Sequence, residues 1–271
     1  NTNDAPTISS TAVTSVNEDS AYSYTVTTAD DDGDTITLTG TTVPSWLTFT
    51  ASSGALAGTP DNDDVGSHSV VITASDGNGG SVTDSFSIAV ANTNDAPTIT
   101  STAVTSVNED AAYSYTTTAS DVDSGDTVSL ACTTVPSWMS CTNGALTGTP
   151  LNAHVGAHSV VITASDGNGG SATDTFTVTV ANTNDAPTLA NAIADQSVDE
   201  DAAFSFIVPA NTFNDVDAGD SLTYAATLAD GSDLPSWLSF DVSTQTFSGT
   251  PENDDVGVIT CLLYTSDAAD E

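Results

Sequence analysis

The segment NTNDAPT begins at Asn1, again at Asn92 and again at Asn182, so the chain repeats itself with a period of about 90 residues. Solenoid units run to roughly 20–50 residues, so a repeat this long suits a small domain with its own core. Other landmarks keep the same step: NED at Asn17 and Asn108 with DED at Asp199, PSW at Pro44, Pro136 and Pro235, and Gly-Thr-Pro at Gly58, Gly148 and Gly249. ASDGNGGS occurs at Ala74 and at Ala164, and the third unit does not reach it. Three units follow, at 1–95, 96–185 and 186–260.

Within a unit the apolar residues alternate. Tyr22, Tyr24 and Val26 form one run and Phe86, Ile88 and Val90 another, matched by Tyr113 and Tyr115 and by Phe176, Val178 and Val180. Alternation is the signature of a strand with one buried face. Thr and Val are abundant, turn residues punctuate the chain about every 8 to 12 residues, and no window carries a helical stripe. The expected fold is all-β: tandem immunoglobulin-like Greek-key sandwiches of about seven strands each, arranged end to end.

The chain holds 37 Asp and Glu and no Lys or Arg, for a formal charge of -37. Such a chain repels itself unless salt screens it or cations neutralise it. Nucleic acid is excluded as a partner, because phosphate binding requires Lys and Arg; an anionic membrane surface is excluded on the same ground. Disorder is not expected, since 38% of the residues are apolar and they fall in strand patterns. No stretch approaches the roughly 18 to 20 apolar residues of a membrane span, so no membrane insertion is expected within this fragment. The chain opens inside a repeat and reads as an interior piece of something longer, with any leader or anchor outside it.

These residues resemble the cadherin superfamily, and within it the dystroglycan-type cadherin-like and immunoglobulin-like tandem repeats of bacterial surface or secreted proteins. The resemblance runs from Asn1 to about Thr260. Its carriers are the linker NTNDAPT, which is similar to the family's Asp-x-Asn-Asp-Asn-x-Pro linker, the acidic pair in NED, the DVDSGD loop at Asp121 to Asp126, and ASDGNGGS. The stretch from PSWL through SGALAGTP to DNDDVG is similar to the dystroglycan-type branch. The Leu-Asp-Arg-Glu motif of vertebrate cadherins is absent, which removes two of the family's ligands. The resemblance implies an extracellular or cell-surface location, neighbouring repeats of the same longer chain as partners, and calcium as cofactor.

Calcium can also be argued from the residues. It takes 6 to 8 oxygen ligands, and a short linker of Asn and Asp flanked by acidic loops offers such a shell. DDDGD at Asp30 and DVDSGD at Asp121 place carboxylates at alternate positions beside a glycine. The candidate ligands at the first junction are Glu18 from repeat 1, Asn92, Asn94 and Asp95 from the linker, and Asp121, Asp123 and Asp166 from repeat 2. At the second they are Glu109, Asn182, Asn184, Asp185, Asp215 and Asp217, with the last Asp of repeat 3 expected to be lost to truncation. The competing reading is that these residues make turns and that the acidity solvates the surface, as in proteins from salty water. Crowded carboxylates with no cationic side chain favour the ion, since a divalent cation removes their repulsion.

Other residues have plain structural readings. Trp46, Trp138 and Trp237 recur in one context, as packing anchors rather than sugar platforms. His68, His154 and His158 lack metal-site spacing and are taken as structural. Cys132 and Cys141 replace Gly40 and Phe49 of repeat 1 together, which suggests a disulfide in an oxidising exterior; the alternative is two buried thiols. Residues 261–271, CLLYTSDAADE, resemble the translation of a transposase adaptor used in sequencing libraries and are taken as a non-native tail, although VITCLLYTS favours a strand. Repeat 3 is then expected to end before its last two strands, leaving exposed sheet edges.

No phosphate loop, Schiff-base lysine or oxyanion arginine is present, so no enzyme is expected. Two function classes remain: a calcium-dependent adhesion or stalk module whose cell-surface or polysaccharide ligand is unknown, or a spacer or carbohydrate-binding module of a secreted polysaccharide-degrading enzyme.

Overall fold

The computed structural model describes residues 2–267. Repeat 1 runs β1 (Thr7–Ile8), β2 (Ser15–Asn17), β3 (Tyr22–Thr25), β4 (Thr28–Ala29), β5 (Thr37–Thr42), β6 (Leu47–Thr50), β7 (Ala55–Gly58), β8 (Gly66–Ser75) and β9 (Ser81–Ala91). One sheet has the order β2-β9-β8-β5 and the other β3-β7-β6, while β1 and β4 form a two-residue pair. Seven longer strands thus make the sandwich. All ladders are antiparallel except β2 on β9, which is parallel.

Repeat 2 copies this plan: β10 (Thr98–Ile99), β11 (Ser106–Asn108), β12 (Tyr113–Thr116), β13 (Ala119–Ser120), β14 (Ser129–Thr134), β15 (Met139–Thr142), β16 (Ala145–Gly148), β17 (Gly156–Ser165) and β18 (Ser171–Ala181). Its sheets are β11-β18-β17-β14 and β12-β16-β15.

The alternation of the sequence becomes the inner faces of the two sheets. Tyr22, Tyr24, Leu56, Val70, Ile72 and Ile88 form the core of repeat 1, and Tyr113, Tyr115, Leu146, Val160, Ile162 and Val178 that of repeat 2. The buried tyrosines keep their hydroxyls paired: Tyr22 donates to the Val13 carbonyl at 2.7 Å and Tyr24 to Asp84 at 2.9 Å. Burial, with Tyr24 and Asp84 nearby, pushes the Tyr22 pKa up to about 12. Trp46 and Trp138 pack edge-on against Tyr22 and Tyr113 at 5.8 Å and against His68 and His158 at 6.0 Å. The tryptophans are therefore core anchors and the two histidines belong to their packing. His68 and His158 also contact the carbonyls of Asp64 and His154 at 2.6 Å, and His154 accepts from the Leu151 amide at 2.9 Å.

The recurrent Gly-Thr-Pro has a steric cause. At Gly148 an added Cβ would collide with the Trp138 carbonyl oxygen and lie 3.1 Å from the Met139 Cα, and Gly58 and Gly249 face the same obstacle at Trp46 and Trp237. The backbones of the edge strand and its neighbour approach too closely for any side chain.

Cys132 on β14 and Cys141 on β15 are joined as a disulfide, with Cα atoms 6.3 Å apart. The bond links one sheet to the other. In repeat 1 the same place is filled by the Phe49 ring, which lies 3.1 Å from where a Cβ on Gly40 would stand.

Repeat 3 departs from the plan. It contains β19 (Thr188–Leu189), β20 (Phe204–Ile207), β21 (Phe213–Asn214), β22 (Thr223–Leu228), β23 (Leu238–Asp241), β24 (Thr246–Gly249) and β25 (Cys261–Ser266). Repeat 3 is expected to stop before its last two strands although VITCLLYTS favours a strand, and that segment carries β25. β25 pairs with β22, and Thr223 opposite Ser266 repeats Thr37 opposite Ser75. The reason is pattern: Cys261, Leu263 and Thr265 fall where Val70, Ile72 and Ala74 face inward. Of the proposed tail, 268–271 lie outside the described residues, as does Asn1. Among the described residues nothing corresponds to β9, and residues 197–199, which match β2, are not a strand.

Two outcomes are expected from urea unfolding of the chain. Gly148→Ala destabilises repeat 2 by about 1–3 kcal/mol through overpacking. Reduction of the disulfide, which closes a short loop, costs the same repeat about 2–3 kcal/mol and leaves repeat 1 unchanged.

Candidate metal centre

Each linker is tied to the repeat that follows it in the same way. Asn3 Nδ2 donates to Asp76 Oδ2 at 2.9 Å, Asn94 Nδ2 to Asp166 Oδ2 at 2.9 Å, and Asn184 Nδ2 to Asp267 Oδ2 at 3.1 Å. The backbone amides of Asp4, Asp95 and Asp185 donate to Asp32, Asp123 and Asp217 at 2.7, 2.7 and 2.6 Å. The loop ASDGNGGS serves this tie. Asp166 accepts the amides of Asn168, Gly169 and Gly170 at 2.7 to 3.0 Å, which fixes its carboxylate toward the linker. A Cβ on Gly170 would collide with that carboxylate and lie 2.8 Å from the Asp95 carbonyl oxygen and the Ala96 Cα. Asn94 first, then these amides, holds the Asp166 carboxyl below the ordinary carboxylate value, and Asn3 does the same for Asp76.

Each linker is also tied to the repeat before it. Glu18 follows β2, its amide donating to the Ala91 carbonyl at 3.0 Å, and Glu109 repeats this on Ala181 at 2.9 Å. Asp19, Asp110 and Asp201 come next in left-handed conformation, φ 56°, 58° and 59°, each donating its amide to a proline carbonyl at 2.8 to 2.9 Å. This turn sends the glutamate side chain to the linker. The Thr93 amide donates to Glu18 Oε1, and the Thr183 amide to Glu109 Oε1 at 2.8 Å.

The first junction then gathers carboxylates from three sources. Glu18 of repeat 1, Asp95 of the linker and Asp123 of repeat 2 have ligand oxygens within 4.8 Å of one another, and so do Asp121, Asp126 and Asp166. Glu18 is 1% exposed and Asp123 5%. Glu18 Oε2, Asp123 Oδ1 and Asp121 Oδ2 are buried with no hydrogen-bond partner. Burying an unpaired charge costs of order several kcal/mol, and the chain has no Lys or Arg to compensate. The donor set is all oxygen, which fits a hard divalent cation such as calcium.

The second junction is related but not identical. Glu109 is 2% exposed and its Oε2 is buried without a partner, as is Asp215 Oδ2. Its cluster of three is Asp215, Asp217 and Asp220, all from repeat 3. Burial, and then Asp217, Asp110 and Asp215, push the Asp185 carboxyl up. Asp30, Asp32 and Asp34 make the equivalent group at the start of repeat 1.

Asn92 and Asn182 are exposed, as are Asn94 and Asn184. Asp126, at the end of the DVDSGD loop, joins the Asp121 and Asp166 group and accepts Asn168 Nδ2 at 2.9 Å. Asp267 occupies the place where the last acid of repeat 3 was expected to be missing. Two contacts were not anticipated from sequence at all. Asn62, in a one-turn 3-10 helix (Asn62–Asp64), reaches across to Asp95 Oδ2 at 2.8 Å, and Asn152, in the matching turn (Asn152–His154), reaches Asp217 Oδ1 at 2.7 Å.

A family model described as Putative Ig domain matches residues 5–91, 96–181 and 186–271. The chain belongs to this Ig domain family. Its third match takes in the segment 261–271. Among curated relatives, the "Serine-rich adhesin for platelets" of Staphylococcus aureus strain MRSA252 is 31% identical over 153 residues, 56% of this chain and 11% of that protein. The same adhesin of strain MSSA476 is 31% identical over 153 residues and is covered for 6% of its length. This chain therefore spans a small part of the relatives it matches. Among solved structures, extracellular cadherin domains 1-5 of protocadherin gamma B2 align with 97% of this chain and 59% of theirs, at 17% identity and TM-score 0.59. Mouse cadherin-23 domains EC22-24 align over 99% and 98% at 17% identity and TM-score 0.56. The fold of this Ig family member is that of tandem cadherin-like sandwiches.

Asn62→Ala is expected to loosen the first junction by about 1 kcal/mol, the worth of one hydrogen bond. The check is inter-repeat residual dipolar couplings, which fall in the variant while the chemical shifts within each core stay put.

Proposed function

We propose that this chain is a calcium-binding module of an extracellular adhesion or stalk protein, in which calcium at the junctions locks successive repeats into a rod. The observation that carries this is the meeting of Glu18, Asp95 and Asp123, from two repeats and the linker between them, with two buried carboxylate oxygens left unpartnered. Without a cation such a junction is held apart by its own charge; with one, the same carboxylates become a clamp that includes both domains. At the first junction Glu18, Asp95, Asp121, Asp123, Asp126 and Asp166 are the proposed ligands, with Asn94 fixing the linker. At the second, Glu109, Asp185, Asp215 and Asp217 are proposed, with Asn184 in the linker role. Asn92 and Asn182 are proposed as further linker ligands at the two junctions.

The similarity to an adhesin supports a role in attachment, and the disulfide supports an oxidising, extracellular setting. Among the described residues no helix is long and apolar enough to cross a membrane. The clusters recur with the repeats, as a scaffold feature does and a catalytic centre does not, so the chain itself is read as non-enzymatic. The proposed partners are neighbouring repeats of a longer chain and a cell-surface or polysaccharide ligand.

Extracellular calcium modules bind at about 0.1 to 1 mM, and saturation to about ten times the dissociation constant stabilises each site by roughly 1.4 kcal/mol. Small-angle scattering of chelator-treated chain is expected to show a larger radius of gyration and a narrower spread of shapes as calcium reaches millimolar, with a rise in melting temperature. Equal effects of sodium or magnesium would reduce the acids to a salt-adapted surface and return weight to a spacer or carbohydrate-binding module of a secreted enzyme.

A further inference from the structure

The same segment, ASDGNGGS, joins β8 to β9 and β17 to β18, and in both places it holds an asparagine followed by glycine. Both asparagines act as neutral struts between acidic loops. Asn78 Nδ2 donates to Asp34 Oδ2 at 2.7 Å, and Asn168 Nδ2 to both oxygens of Asp126 at 2.9 Å. Asn78, Gly79, Asn168 and Gly169 are all exposed, and open space lies where a side chain on either glycine would stand. Glycine puts no Cβ beside its own backbone nitrogen, so an Asn-Gly pair is where that nitrogen most easily reaches the side-chain amide carbon before it. The two loops differ in how firmly they hold these atoms apart. In repeat 2 Asp166 accepts the Gly169 amide itself at 3.0 Å, besides those of Asn168 and Gly170; in repeat 1 Asp76 accepts those of Asn78 and Gly80. Asn168 is gripped by two carboxylate oxygens and Asn78 by one. A third such pair, Asn143 and Gly144, is the turn between β15 and β16, where Gly144 is buried and a Cβ on it would lie 2.6 Å from Leu130 Cδ1.

We propose that Asn78 is a self-modification site, at which slow deamidation turns a neutral strut of the fold into a carboxylate facing Asp34. The Gly79 nitrogen loses its proton to solvent base and attacks Asn78 Cγ. The bond from Cγ to the side-chain nitrogen breaks and that nitrogen leaves as ammonia, its last proton coming from water. The five-membered imide left behind takes up one water at either carbonyl, giving aspartate or, with the backbone rerouted through the side chain, isoaspartate. One water enters, one ammonia leaves, and nothing is oxidised or reduced. In either product the donor to Asp34 is gone and an acid stands beside the group Asp30, Asp32 and Asp34, of which Asp32 holds the Asp4 amide of the linker. The loop that carries Asp76 is then pushed away from that group unless a cation lies between them. That consequence rests on the calcium reading of the acids; the reaction itself does not.

The test is mass spectrometry of the full chain aged in mildly alkaline, calcium-free buffer and cut with chymotrypsin, beside a sample aged in urea. Conversion, read as a gain of about one dalton with an isoaspartate fraction, is expected about tenfold faster at Asn78 than at Asn168 in the folded chain, the worth of two further hydrogen bonds. In urea the two are expected to react alike, because the residues from Ala74 to Ser81 and from Ala164 to Ser171 are identical. Asn78→Gln keeps an amide but enlarges the ring that must form, and is expected to abolish the gain at that position. Asn78→Asp is expected to melt lower than the parent in chelator and to recover the difference in millimolar calcium. The proposal is overturned by equal rates at Asn78 and Asn168 in the folded chain, or by an Asn78 that converts in urea only. An Asn78→Asp variant that melts like the parent in chelator overturns the consequence; a parent whose melting ignores calcium overturns the junction reading and leaves the reaction standing.

Discussion

Carboxylates without a cation are the constraint on which this structure turns. With 37 acids and no Lys or Arg, no buried acid can pair with a lysine or arginine, and yet Glu18, Glu109, Asp123, Asp166 and Asp217 are all buried. The chain meets part of that cost with backbone amides and asparagines. Asp166 shows the complete solution, with both oxygens accepting hydrogen bonds; Glu18 and Asp123 show the incomplete one, each with an oxygen facing other carboxylates. The difference falls at the domain boundary, where a divalent ion has most leverage on the relation between two folded units.

The linker reaches both ways. Its asparagine and aspartate amide hold the repeat that follows, and its threonine amide holds the glutamate of the repeat before. Asn62 and Asn152 add contacts that need no ion, so some registration of the repeats is built into the polypeptide itself. A cation would then deepen an orientation the polypeptide already favours, with little ordering entropy left to overcome.

Much of this was legible in the residues. Alternation at Tyr22, Tyr24, Ile88 and Val90 becomes the core because period two maps directly onto the faces of a sheet. Glu18, Asp95 and Asp123 were recognisable because the repeat marks every junction twice. Asn62 was not, since it lies 33 residues from Asp95 in sequence and inside a run of acids that reads as a solvated turn. The bond from Asn94 to Asp166 was equally out of reach: Asn92 and Asn94 look alike in NTNDAPT, and the loop amides that fix the Asp166 carboxylate appear only in the fold. The strand at Cys261–Ser266 was legible as a propensity, but its register against Thr223–Leu228 depends on the inward places of Val70 and Ile72, which appear with the sandwich.

The central claim is that the buried junction glutamate is a liability alone and an asset with calcium. Glu18→Gln keeps the acceptor for the Thr93 amide and removes the charge, so its melting temperature compared with that of the parent chain isolates that point. In chelator the variant is predicted to melt higher than the parent, and in millimolar calcium lower. A variant that melts lower than the parent in both, or whose difference from the parent does not change with calcium, would contradict the account.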